Sequence, residues 1–365
     1  MNRRKLLQSC AVTALCSAAG VLTGSISKAA EGKPAKIRVG MIGTGHAHAT
    51  GKLSTVRELS DLYELVGVVE PDKVRQGQMA KHPKYAGVRW LSEAELLSAP
   101  GLQAVLVETA VPELVPAALR ATAAGLHVHI DKAPGHSLPQ FAAVLKQAEA
   151  HGKHVQLGYM MRYNPAIEFA VRAVREKWLG EIFEISGVIS KEGNAETRAS
   201  LNKYPGGSMF EIGCHLIDAV VAIMGAPEKV TAFNRQTYSD KLVDNQLAVL
   251  EYPSATVSIR STLVEPEGGS RRQLTICGTN GTIEIRPLEP PKLRMTLKKP
   301  AGGYAAGEHE VKPAESAGRY NAQLTEFAEV IRGEGQPRFS AKHDLETHRT
   351  VLLASGLPLS PVPSK

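Results

Sequence analysis

Between Ile37 and Met160, short apolar runs alternate with segments whose apolar residues recur on a helical period. The runs are "IRVGMIG", "YELVGVVE", "LQAVLVETA", "HVHIDKAP" and "HVQLGYM". Helices are predicted between them, one ending near Leu59 and others from Val74, Pro112 and Ser137. Ser92 with Glu95, and Ser137 with Gln140, fit capping boxes at helix starts. Short apolar strands alternating with helices predict an α/β fold, a parallel sheet covered on both faces.

From about Tyr159 the pattern changes. A long helix, "NPAIEFAVRAVREKWLG", precedes the strand "EIFEISGVIS" and a glycine-led helix from Ser208. Closely spaced strands then follow: "VTAFNRQ", "NQLAVLEY", "ATVSIRSTL", "RQLTICGT" and "GTIEIR". Short turns between strands predict a mostly antiparallel sheet, hence a C-terminal α+β domain over 159–356 behind a nucleotide-type domain over 36–158. "PAGGYAAGEHEVKPAES" reads as a loop, and two helices, "YNAQLTEFAEVIRGE" and "AKHDLETHRTVLLASG", close the chain.

Residues 1–30 read as a twin-arginine signal peptide: "MNRRKLLQSC", an apolar run too short and too rich in small residues to span a membrane, then "SKAA". Neither Cys10 nor Cys16 sits in a lipobox. A periplasmic or secreted protein without a stable membrane anchor is expected. The leader also explains much of the charge. Four of the 43 basic residues lie in it, leaving 39 against 36 acidic ones, with no basic patch for nucleic acid. Of the four cysteines, Cys214 and Cys277 remain, each in apolar surroundings, and no disulfide is expected.

The first strand runs into "GTGHAHATGK". Gly43 and Gly45 suit a dinucleotide loop of the Rossmann type, the first making the turn and the second admitting the pyrophosphate to the helix N-terminus. Thr44, His46, Ala47 and Thr109 are placed around that loop. His48 stands where a small third residue is usual. Glu70 ends the second strand, where a carboxylate binds ribose hydroxyls and repels a 2′-phosphate, so NAD is expected over NADP. A Walker loop fails on spacing. A metal site on His46 and His48 is disfavoured because residues two apart on a helix do not share a face, and no metal is expected.

The chemistry is concentrated in "GGSMFEIGCHLIDAVVAIMG". On a helix, Glu211, His215 and Asp218 share one stripe within an apolar segment. Singly, each has a structural reading: Ser208 and Glu211 as a capping box, His215 as a core histidine, Asp218 as an ion-pair partner. Three on one face favour a site.

These landmarks, with "VVEPD", "AAGLHVHIDKAPG", "QLGYMMRYNP" and "GTNGTIEI", resemble the glucose–fructose oxidoreductase/inositol dehydrogenase (Gfo/Idh/MocA) family from about Lys36 to Gly356. The resemblance implies that "DKAPG" puts Lys132 beside the nicotinamide, with Asp131 preceding it, and that His215 is the acid/base with Glu211 one turn before it. Asp218, Arg162 and Tyr163 are then candidates for holding substrate, Arg162 and Tyr163 equally for capping and packing the next helix. The chain departs from the family in Glu211 for Asp, Ala133 for Pro, His48 for a small residue, and "ETAVPELV" for Thr-Pro-Asn-x-x-His, which brings in Glu108. The expected activity is NAD-dependent oxidation of a hydroxyl on a saccharide or cyclitol. Alternatives are a glycoside hydrolase, lyase or epimerase using transient oxidation by tightly bound NAD, and a non-catalytic binding protein. A homodimer or homotetramer is implied by resemblance alone.

Overall fold

The computed structural model describes residues 34–360; the leader lies outside them. Six parallel strands form the first sheet: β1 (Ile37–Ile42), β2 (Tyr63–Val69), β3 (Trp90–Leu91), β4 (Ala104–Val107), β5 (His127–Ile130) and β6 (Val155–Leu157). Their order is β3-β2-β1-β4-β5-β6, the doubly wound arrangement in which ligands bind where the strand order reverses, between β1 and β4. The connecting helices are α1 (Ala49–Glu58), α2 (Lys73–Ala80), α3 (Glu93–Leu97), α4 (Val111–Ala123) and α5 (Leu138–Ala150). Gly40 in β1 has no side chain because a Cβ there would meet Leu96 of α3 at 2.6 Å. The capping box at Ser92 is complete. At Ser137 the hydroxyl accepts from the Gln140 amide.

The second sheet has eight strands: β7 (Ile182–Val188), β8 (Lys229–Arg235), β9 (Asn245–Glu251), β10 (Thr256–Thr262), β11 (Gln273–Gly278), β12 (Gly281–Leu288), β13 (Pro291–Leu297) and β14 (Gly307–Val311). Their order is β14-β13-β12-β11-β7-β10-β9-β8. Every pair is antiparallel except β7 with β10. Ala248, Leu250, Val257, Ile259, Ile276 and Ile285 point inward from alternate positions. Against that face pack α6 (Pro165–Arg175), α8 (Cys214–Met224) and α10 (Ala341–Ala354), while Phe183 and Phe233 stand about half exposed. Strand β14 lies inside the stretch read from sequence as a loop, and α7 (Ala195–Leu201) has no counterpart in the sequence reading.

The chain returns to the first sheet at α9 (Asn321–Arg332). Leu324, Phe327 and Ala328 are fully buried with Ile37, Met41, Leu53 and Leu106. Gln156 Nε2 donates to the Gln323 carbonyl at 3.0 Å, and Gln323 Nε2 donates to the Leu157 carbonyl at 2.9 Å. Cys214 and Cys277 are both free thiols. Among the described residues, no helix is long and apolar enough to cross a membrane.

Two predictions follow from this packing. Phe327→Ala removes a buried ring that joins a C-terminal helix to the N-terminal sheet, and should cost about 3–5 kcal/mol in urea unfolding. The second concerns buried histidines. Burial holds His48, His127 and His154 at about 4 and His348 at about 3, against an ordinary 6.5. Below 6.5 the unfolded chain binds protons that the folded one refuses, so their stabilisation is full above 6.5 and lost as pH falls toward 4. Calorimetry should show the melting temperature falling from pH 7.5 to 5. His348→Leu should flatten that fall, since both His348 nitrogens lack a partner.

Candidate active site

The loop after β1 is shaped by its two glycines. Gly43 has φ +86°, and a Cβ on it would sit 2.6 Å from Thr109 Cα. A Cβ on Gly45 would sit 2.8 Å from the Ala110 amide nitrogen. Only bare backbone lies this close to the end of β4, which leaves the mouth of the switch point open and the N-terminus of α1 facing it. The Thr44 amide and hydroxyl both donate to Glu70 Oε2, at 2.8 and 2.6 Å, and the Asp72 amide donates to Glu70 Oε1 at 3.1 Å. Glu70 thus fixes the loop from the end of β2. Arg75 covers Thr44, donating to its carbonyl at 2.9 Å. Ala47 is exposed at the loop tip. The glycine cradle, the free helix N-terminus and the carboxylate after β2 are what a dinucleotide requires, so the residues present fit that cofactor.

A cavity of about 370 Å³ opens beside the loop, lined by Gly45, Ala47, Ala110, Lys191, Tyr204 and Glu211 among others. Lys132 lies behind Glu211 at 1% exposure. Its ammonium donates to the Glu211 carbonyl at 2.5 Å and stands 3.6 Å from Glu211 Oε1. Burial works against charge on both, but their mutual attraction outweighs it, so Lys132 is held above its ordinary value and Glu211 below. Both are ionised at neutral pH. His215, also buried, is pushed well down by burial and by Lys132, and is a neutral imidazole with an unpartnered Nδ1.

The helix that carries these groups departs from the sequence reading. Met209–Gly213 is one wide π turn leading into α8, so the regular one-stripe spacing of Glu211 and His215 does not hold. Nor does Ser208 form a capping box. Its hydroxyl donates to Gln246 Oε1 and the Ser261 carbonyl, and Gln246 Oε1 receives the Met209 amide at 2.7 Å. Glu211 is thereby free to reach Lys132 and the Tyr204 hydroxyl (3.2 Å) and does not orient His215. Asp218 is occupied elsewhere. Arg162 grips both its oxygens at 2.8–3.0 Å and also Asp344 at 2.6 Å, all three buried. Tyr163 is buried as well, its hydroxyl accepting from Gln156. These three candidates for substrate contact brace α6, α8 and α10 instead.

The structure brings together a cluster that helical spacing argued against. His46 and His48 precede α1, so helical geometry does not apply to them, and their rings lie 4.8 Å apart. Both face Asp131: His46 Nδ1 at 3.1 Å from Oδ2, and His48 Nδ1 at 3.1 and 3.2 Å from the two oxygens. The three offer ligand atoms within 4.8 Å of one another, a set that a divalent cation accepts by type. Lys52 opposes this. Its fully buried ammonium donates to Asp131 Oδ2 (2.6 Å), His129 Nε2 (2.6 Å) and Glu108 Oε1 (2.9 Å), placing positive charge where a metal would need a free carboxylate. Burial raises both carboxyls, yet Asp131 is held well below the usual range by His46, Lys52 and His48, while Glu108 is driven well above it by burial and Asp131. Of the two, the surroundings favour the charge on Asp131 and push Glu108 toward its neutral form. Gly158 makes room for this, since a Cβ there would meet Lys52 Nζ at 2.8 Å. Lys52, Lys191, Tyr204 and Gln246 had no signal in the sequence, because each acts across more than one element.

Comparison with known proteins identifies the family. Residues 37–159 match the oxidoreductase family with an NAD-binding Rossmann fold, and residues 167–284 match the GFO/IDH/MocA C-terminal domain. The chain is 28% identical to D-xylose 1-dehydrogenase (NADP(+)) 2 of Haloferax volcanii, over 62% of its length and 69% of that protein. It is 25% identical to scyllo-inositol 2-dehydrogenase (NAD(+)) of Bacillus subtilis, over 83% and 88% of the two chains. In fold it is similar to the aldose-aldose oxidoreductase of Caulobacter crescentus, solved with glycerol (TM-score 0.75, 20% identity, covering 88% and 98%). It is also similar to the WlbA dehydrogenase of Bordetella pertussis, solved with NADH and UDP-GlcNAcA (TM-score 0.73, 18% identity, covering 90% and 100%). The chain belongs to the Gfo/Idh/MocA family of oxidoreductases, an NAD-binding Rossmann domain followed by the family's C-terminal domain.

Proposed function

We propose that the protein is an exported NAD(H)-dependent dehydrogenase acting on a hydroxyl of a saccharide or cyclitol. The observation that carries this reading is the meeting of an ionised Lys132–Glu211 pair and a neutral His215 at the edge of the dinucleotide loop. In oxidation His215 accepts the hydroxyl proton. Lys132, held protonated, stabilises the negative charge that develops on that oxygen. Bound nicotinamide supplies the hydride acceptor. Glu211 keeps Lys132 charged and aimed, and with Tyr204 and Lys191 it offers polar partners to neighbouring hydroxyls. The Glu70 carboxylate at the end of β2 favours NAD(H), as in the scyllo-inositol relative, over the NADP(+) of the xylose relative. The twin-arginine leader supports export with the cofactor already bound. The half-exposed Phe183 and Phe233 on the second sheet support self-association as a dimer or tetramer through that face.

A redox-neutral variant of this reading, in which hydride is taken and later returned within one turnover, is favoured by one specific feature. The site holds a second imidazole, His48, that a dehydrogenase does not need.

Lys132→Ala should lower kcat by roughly 10²–10³-fold, the cost of removing one donor to a developing oxyanion, while NAD affinity changes only a few-fold. Stopped-flow reduction and fluorescence titration separate the two, and full activity in this variant sinks the mechanism. Gly43→Ala should do the reverse, since its Cβ would collide with Thr109. Protein purified without added cofactor should release near-stoichiometric dinucleotide on denaturation, and Gly43→Ala almost none.

A further inference from the structure

We propose that His48, oriented by Asp131, is a second proton-transfer residue of this site and removes the proton from the carbon beside a substrate carbonyl. The proposal rests on the reading that a saccharide or cyclitol carbonyl binds at Lys132. His48 is held in one orientation and one tautomer. Its Nδ1 lies against both oxygens of Asp131, which is ionised and therefore only accepts, so Nδ1 carries the hydrogen. In the neutral ring the lone pair is then on Nε2, and no described residue bonds Nε2. Asp131 is itself fixed by Lys52 and by the Lys132 amide, so the carboxylate cannot swing away. His215 lacks such a partner.

Position agrees with chemistry. The His48 and His215 rings lie 6.3 Å apart, on different elements, with Lys132 following directly on the Asp131 that holds His48. Other groups facing His48 are His46 and the Tyr320 ring, at 4.8 and 5.6 Å between centroids. Two bases at this separation can each reach about 3 Å to protons on adjacent substrate atoms, one on the hydroxyl oxygen and one on the next carbon. The step is proton transfer alone. The C–H bond breaks, its electron pair becomes the enolate with the negative charge on the carbonyl oxygen beside the Lys132 ammonium, and the proton goes to His48 Nε2. Return of a proton from Nε2 restores the ketone, so the step needs no oxidant. It gives the protein a hydrogen-exchange or epimerising activity on keto-sugars and keto-cyclitols.

The test uses ketones directly, so that it does not depend on hydride transfer. Mature holoprotein is incubated in D₂O with 2-keto-myo-inositol or methyl 3-keto-β-D-glucopyranoside, and deuterium entering next to the carbonyl is followed by NMR above the uncatalysed rate. Wild type should exchange one or both probes. His48→Ala restores the small residue usual at this loop position, and should exchange them at least ~100-fold more slowly, with free imidazole recovering part of the loss. Independently of any substrate, ¹⁵N shifts at neutral pH should show His48 with hydrogen on Nδ1 and none on Nε2. Absence of exchange in wild type, equal exchange in His48→Ala, or an Nε2–H tautomer overturns the proposal. So does stoichiometric zinc in wild type that His48→Ala loses, which would make the cluster a metal site. If exchange depends on His48 but no alcohol reduces bound NAD, the dehydrogenase reading fails while the base assignment stands.

Discussion

The Lys52 ammonium, fully buried under the dinucleotide loop, uses all three of its protons on Asp131, Glu108 and His129. A buried charge persists only when paired and hydrogen-bonded, and here the partners come from two neighbouring strands, β4 and β5. Asp131 follows β5, Glu108 follows β4, and His129 lies within β5 and passes the chain of bonds to Gln156 on β6. The ammonium therefore ties α1 to the ends of β4 and β5, and through His129 to β6. Lys132 follows Asp131 directly, with its amide on Asp131 Oδ1, so Lys132 inherits its place from this contact. The same carboxylate anchors His46 and His48. Removing Lys52 would leave an ionised Asp131 with no compensating charge in a dry interior.

Much of the scaffold could be read from the chain because its signals are local. Five of the six parallel strands are apolar runs bounded by turn residues, and Gly43, Gly45 and Glu70 are recognisable by their spacing along one strand–helix–strand unit. The sixth, Trp90–Leu91, is too short to carry a pattern. Strand β13 begins beside prolines, and β14 lies among glycines and charged residues, where period-two alternation is faint. The site was legible in its residue types and less so in its geometry. Lys132, Glu211 and His215 do converge, but a π turn that no propensity announces replaces the regular helical stripe. Arg162 and Asp218 looked available because their third partner, Asp344, lies far along the chain on α10.

His46 and His48 share a carboxylate because they lie outside the helix. Side-chain directions two residues apart diverge on a helix, but α1 begins only at Ala49, and in the preceding turn both rings can face one carboxylate. Spacing rules apply inside an element; at its boundary they say little. A dinucleotide loop is such a boundary, and residues added there need not disturb the core.

The charges in this pocket are arranged in couples. Lys52 balances Asp131, Lys132 balances Glu211, and burial with Asp131 pushes Glu108 toward its neutral form. Arg162 likewise closes against Asp218 behind the helix. With Lys52, Lys132 and Arg162 each matched to a carboxylate, those three cations stay protonated and their partners stay ionised through the neutral range. Neither kind readily gives or takes a proton during turnover. What remains are two neutral imidazoles, His215 and His48, whose values are lowered by burial but whose lone pairs are not committed to a cation. In the proposed mechanism, proton movement therefore falls to the histidines, and the lysine and carboxylate couples set the field in which they act.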